Sequence, residues 1–302
     1  MCFEAGRTFF RLVHSERAEA IGNKIHPFSQ VPDVVVSAFL YGKLSKNKRA
    51  SVLARISIPK RCFTQFYEYA VVLFTIWTLV LCCISIGLGA VPRKLKITMD
   101  VLIHNRTMKV PFAIILWTQL LLTVQVARRC YECMFVSVFS NVRMHIWHFA
   151  MGFIFYTGVQ YSLLSLALPV APELPAFSLS DLWSSHVILG SVMWLVAVWL
   201  EYDTAKRFAA FRKNADGKRV SSKHVAPYGG MFELISSPHY LAEIMVYTSI
   251  TVVLGCTNLT WLLSLLWTYV NQIAIALLNH RWYQDRFKNY PSSRKAIIPF
   301  LL

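Results

Sequence analysis

Acidic residues are scarce in this chain: 15 Asp and Glu face 31 Lys and Arg, giving a formal net charge of +16. Charge of either sign is missing altogether from long stretches. Residues 70–90 contain none, and neither does the segment from Ile244 to His280. No G-x-G-x-x-G follows a strand pattern, which excludes a Rossmann nucleotide domain. Cys130-Tyr-Glu-Cys133 has no second C-x-x-C pair, so a zinc site is not expected, and no thioredoxin-like context surrounds it. The seven cysteines are scattered and make no disulfide framework. No motif interleaves aromatic and basic residues, so the positive charge does not point to nucleic acid. The start, MCFEAGRTFFRLVHSERAEA, lacks the continuous apolar core of a cleavable signal.

What is present is apolar sequence, in runs. The composition is 56% hydrophobic and the mean hydropathy is +0.46. A helix needs about 20 apolar residues to cross a bilayer. Runs of that order cover Ala70 to Ala90, Val110 to Ala127, Ile146 to Pro172 and Leu182 to Leu200. The last uncharged stretch is too long for one crossing and breaks at Gly255 to Asn258. It reads as two helices, near His239 to Leu254 and Leu259 to Leu278. The predicted fold class is therefore all-α, a polytopic membrane helical bundle with six transmembrane helices.

Orientation follows from where Lys and Arg collect. Eleven lie in residues 1–66, three in 128–143, seven in 201–238 and five from His280 onward; six crossings put all of these on one side. The balance is 26 against the five in loop 91–109. Both termini are thus expected in the cytosol. The sequons at Asn105 and Asn258 fall on the opposite, lumenal side. Basic cytosolic loops also suit anionic lipid heads.

Polar groups near membrane depth are costly and so mark candidate sites. Glu68 stands at the mouth of the first crossing beside Tyr67 and Tyr69. Arg128, Arg129 and Glu132 close the second, with Arg129 and Glu132 spaced to pair on a helix. His239 and Glu243 share a face at the entrance to the fifth. An interfacial anchor or structural ion pair accounts for any one of these taken alone. His145 and His148 share a helix face, but bland interfacial histidines explain them better than a metal. From Arg212 to Glu243 the chain is basic and turn-rich, then enters a helix through Ser-Ser-Pro-His. Such a helix start suits phosphate.

The tail NHRWYQDRFKNYPSSRKAIIPFLL resembles the C-terminal signature of the steroid 5-alpha-reductase family. IPKRCFTQFYEY, RRCYECMFVSVFSNVRMH and PYGGMFELISSPHYLAE resemble its polyprenol reductase branch. The resemblance covers residues 34–302. It implies an NADPH-dependent enzyme of the endoplasmic reticulum membrane that saturates the α-isoprene unit of a polyprenoid lipid, the step that supplies dolichol for protein N-glycosylation. It further implies cofactor contacts at Arg212, Asp203, His239, Glu243, Tyr283 and Arg294. Residues 1–66 then form a cytosolic segment atypical of the family. Residues 67–302 form the reductase domain, with 201–302 binding the cofactor. Two departures stand out. The family usually has seven crossings, and the first is missing because residues 1–33 are polar. Val225 also replaces a usual arginine two residues before Pro227, a contact that Lys223 or His224 would have to take over.

Hydride addition needs an electron-poor carbon. A conjugated aldehyde offers one, because a hydrogen-bond donor can stabilise charge developing on its oxygen; an allylic alcohol does not. Polyprenal is therefore the expected substrate. Tyr283 or Tyr67 is the expected polarising group, with Glu68 orienting it. Arg212, Arg294 and Lys295 are expected on cofactor phosphates. Steroid reduction and enoyl-CoA reduction are alternatives within the same chemistry. A membrane methyltransferase is an alternative of another class. A transporter would want polar residues at mid-membrane.

Overall fold

The computed structural model describes residues 57–88, 110–139, 143–167, 177–213, 225–256 and 258–302. Asn105, Lys223, His224 and nearly all of the N-terminal segment lie outside them. Six long helices dominate: α1 (Phe63–Ser85), α2 (Phe112–Tyr131), α3 (Ile146–Ala167), α4 (Ser185–Ala210), α5 (Pro238–Val253) and α6 (Leu259–Arg286). They answer to the six apolar runs in order, and the bundle is all-α in class. A short antiparallel ribbon is added that the apolar pattern did not announce. In it β1 (Ser57–Pro59) pairs with β2 (Arg143–His145), tying the start of α1 to the start of α3.

Helix limits have local causes. Pro238 occupies the first turn of α5, where its missing N–H costs nothing. Gly255 and Cys256, both with positive φ, end that helix in the expected turn. Asn258 then caps α6, accepting a 2.7 Å bond from the Trp261 amide. The side chain of the second sequon is thus engaged in helix capping.

Four helices are long and apolar enough to cross a membrane: α1 with its preceding turn, α3, α4 and α6. The other two differ for visible reasons. α2 carries Gln119, Gln125, Arg128 and Arg129, and α5 has only 16 residues. Both are largely enclosed by the rest of the bundle. Gln119 and Gln160 exchange amide bonds of 3.1 and 2.9 Å, and Gln119 also donates to the Phe74 carbonyl, joining α1, α2 and α3. Interhelical polar bonds of this kind are a main source of association where the surroundings are already apolar. Close approach is another. A Cβ at Gly190 on α4 would lie 2.6 Å from Val253 Cγ2 and 2.8 Å from the Ser249 carbonyl on α5.

Candidate active site

The C-terminal end of α2 carries two adjacent arginines, and the chain continues as a π-helical turn, Glu132–Val136. Such turns often re-aim side chains at functional sites. Here Glu132 is fully buried and binds both guanidinium groups: Arg128, and Arg129 at 2.6 Å. Glu201, buried in α4, takes the other side of each. It contacts Arg128, and its Oε1 lies 3.1 Å from Arg129 Nε. Gln125 fills the remaining gap, donating to Glu201 at 2.9 Å and accepting from Arg128 at 3.0 Å. Two part-buried cations and two buried anions are therefore interleaved where α2 and its π-helical turn meet α4. Buried charges need such pairing, because losing one partner leaves the other stripped of water.

Arg129 does a second thing. Its Nε and a terminal nitrogen donate to the Tyr67 hydroxyl at 3.3 and 3.2 Å. The phenol oxygen accepts in both bonds, so its own O–H remains to be donated. Tyr67 is buried on α1 and packed among Phe63, Phe66 and Tyr156.

These groups surround a cavity of about 260 Å³. Its polar wall includes Tyr67, Arg129, Glu201, His239 and Glu243; its apolar wall includes Phe66, Tyr156 and Ile275. Glu243 and Glu201 thus face one cavity from α5 and α4. Trp147 and Trp267 also line the cavity and are exposed on the outer surface among the described residues. The space is smaller than the roughly 300–1,000 Å³ that encloses a drug-sized ligand. It suits a ring or a functional end, with the rest of a larger molecule outside.

The structure thus brings Tyr67, His239 and Glu243 together. Glu68 is exposed beside them, and the group that touches the Tyr67 hydroxyl is Arg129. One residue along a helix rotates a side chain by about 100°, and the packing of α1 turns Phe66 and Tyr67 inward and leaves Glu68 outside. Tyr283 is buried elsewhere on α6, its ring parallel to that of Tyr290 at 5.5 Å, and is not among the cavity's lining residues.

Asp203 pairs with Arg207 at 2.6 Å. Gly229 and Gly230 pack on that guanidinium, where a Cβ on either would come within 2.8 Å. Arg212 donates to the Val138 carbonyl. Arg294 is buried and donates to the Pro227 carbonyl at 2.7 Å and to Glu233 at 3.2 Å. The Lys295 backbone bridges to Ile235. The tail is thus clasped to the turn before α5. The Gly229 amide, and after it Arg294, holds the Glu233 carboxyl below its ordinary 4.5.

Glu201 is the residue that reading the sequence missed. It directly follows the fourth apolar run, where a charge reads as a boundary. Its partners stand 73 and 76 residues away, and no local spacing reveals them.

The model of the 3-oxo-5-alpha-steroid 4-dehydrogenase family matches residues 140–302. Polyprenal reductase of Danio rerio is 34% identical over 288 residues, covering 91% of this chain and 89% of the relative. The chain belongs to the steroid 5-alpha-reductase family, in its polyprenol reductase branch. Polyprenal reductases of Homo sapiens and Drosophila melanogaster are each 33% identical. Alignment covers 86% of this chain and 84% of the human protein, and 90% and 85% for the fly protein. Both departures noted in the sequence fall outside the family model's match or on single positions, so membership does not rest on them.

Proposed function

We propose that the protein saturates the α-isoprene double bond of polyprenal with hydride from NADPH, supplying dolichol for N-glycosylation from the endoplasmic reticulum membrane. Both termini face the cytosol in this reading. The observation that carries it is the Tyr67 hydroxyl, backed by Arg129 and aimed into a cavity lined by aromatic groups. A phenol whose oxygen already accepts from a guanidinium is a strengthened donor. Placed on an aldehyde oxygen, it stabilises the charge that develops there when hydride reaches the β-carbon.

The residues present fit a nicotinamide. Gln272 lines the cavity and presents a buried carbonyl oxygen that has no hydrogen-bond partner, which suits a carboxamide N–H. His239 and Glu243 would hold the same ring. Arg212 and Lys295 would meet the phosphates from the basic side, and Asp203 with Arg207 would support the Gly229–Gly230 turn beneath them. Arg294 would contribute by shaping that turn, since its terminal nitrogens are engaged within the protein. When bound, the cofactor supplies the hydride. The isoprenoid tail would leave past Trp147 and Trp267 into lipid, which favours a long-chain substrate over a compact one.

The test is turnover of purified protein in lipid nanodiscs with NADPH and either polyprenal or polyprenol. Turnover of the aldehyde alone is expected. Equal turnover of the alcohol, with no aldehyde formed, sinks the reading. Competition by a steroid enone or an enoyl-CoA ester measures headgroup selectivity.

A further inference from the structure

Hydride addition leaves the substrate one proton short, and Tyr67 sits at its oxygen, not its α-carbon. A different pair of groups is built to supply that proton. Glu201 and Glu243 both line the cavity, so two carboxyl groups share one small enclosed space. Two carboxylates sharing such a site cannot both stay ionised without a cation for each, so one of them keeps its proton. Charge counting leads to the same point. Arg128 and Arg129 are balanced by Glu132 and Glu201, each through direct contacts. Glu243 is the fifth member, and with that proton the cluster sums to zero. Glu201 keeps its oxygens on the arginines, so Glu243 is the partner able to release the proton into the cavity.

We propose that Glu243, beside Glu201, is the acid that protonates the α-carbon of the substrate. This rests on the functional reading above. In the step, a C–H bond forms at the β-carbon as hydride arrives, and the π pair shifts to give an enolate whose oxygen lies against Tyr67. The enolate carbonyl then re-forms as the α-carbon takes the proton from Glu243. Bound NADPH would supply the two electrons with the hydride; the aldehyde leaves saturated, and the Glu243 carboxylate is reprotonated from water. Glu201 is a positioning residue, since it acts through Glu243. The groups around Glu243 are Tyr67 on α1, Arg128 and Arg129 on α2, Tyr156 on α3, Glu201 on α4, and His239 and Tyr247 on its own helix.

The first experiment needs neither substrate nor variant. Infrared spectra of the wild-type protein at neutral pH are expected to show the carbonyl stretch of an un-ionised carboxylic acid, shifted in D2O. That band is expected to vanish in Glu243→Gln. Its absence from the wild type, or its persistence in the variant, overturns the proposal.

The second is turnover in D2O with NADPH and polyprenal, the product being trapped as the alcohol. Wild type is expected to place one deuterium at the α-carbon in a single configuration. Glu243→Gln, which keeps the shape of the side chain, is expected to lose roughly 10²–10⁴-fold in kcat and to mix the two configurations. An unchanged rate and configuration, or a loss explained wholly by weaker NADPH binding in a fluorescence titration, overturns it. Glu201→Gln is expected to displace the pH profile of kcat while the deuterium keeps one configuration. Wild-type protein inactive on polyprenal with NADPH refutes the functional reading and the proton's destination together. The infrared band still reports on the pair in that event.

Discussion

Two polar clusters in this molecule invite comparison. One lies inside the bundle, where Arg128, Arg129, Glu132, Glu201 and Tyr67 meet across α1, α2 and α4. The other lies at the end of the chain, where Arg294 clasps Pro227 and Glu233, and Ser236 bonds both His280 and Tyr290. The inner cluster pairs buried carboxylates with part-buried guanidinium groups, and it opens on a cavity. The outer one spends its donors largely on backbone and hydroxyl groups, and its one carboxylate, Glu233, is 56% exposed. Chemistry needs strong groups held away from water. A clasp needs only geometry. The clasp still serves the cavity, because it fixes the turn from which α5 delivers His239 and Glu243.

The sharpest way to break this contrast is at Arg129. Arg129→Met leaves Glu132 and Glu201 with one cation between them, and about 3–5 kcal/mol of stability is expected to be lost. Thermal unfolding in detergent measures it. Arg129→Lys is expected to recover part of the stability but little activity, since an ammonium cannot span two carboxylates and the phenol. A wild-type melting curve for Arg129→Met would mean that the inner cluster is no more than a clasp.

Tyr67→Phe is expected to separate chemistry from folding. It removes the donor but keeps the ring that packs on Phe63 and Tyr156. Turnover is expected to fall on the order of 10²–10³-fold, with stability changed by about 1 kcal/mol. Tyr283→Phe in the same assay is expected to keep most activity.

The clasp answers to pH through Glu233. Because Glu233 is held below its ordinary value, its contribution is fully present above about 4.5 and is lost as pH falls through the depressed value. Glu233→Gln is expected to flatten the stability–pH curve in that acid window alone. Exposure and screening keep the effect small. Smallest of all is Glu68→Ala. An exposed side chain outside both clusters is expected to change stability by less than about 0.5 kcal/mol and leave kcat/KM unaltered. A tenfold fall in kcat/KM would return Glu68 to the site.

The order and number of the helices were legible because each apolar run is long, continuous and bounded by charge or glycine. The Arg129–Glu132 pair and the shared face of His239 and Glu243 were legible too, since helix spacing of three and four is a local rule. The choice between Tyr67 and Glu68 was not. Neighbours on a helix point different ways, and only the packing of α1 on α3 decides which one is inside. Glu201 was hidden for a related reason: at the end of an apolar run a glutamate looks like a boundary, and its meaning comes from arginines on another helix.

The sequence by itself determined that this chain is a helical membrane protein and placed it in its family, because hydrophobic run length and local motifs carry that information along the chain. The tertiary structure alone decided which charges share one cavity. Pairing between α2 and α4 depends on distances in space that no periodicity encodes. That is why, among the described basic residues, Arg128 and Arg129 meet buried carboxylates while Arg61, Arg143, Lys206, Arg286 and Lys288 stay exposed.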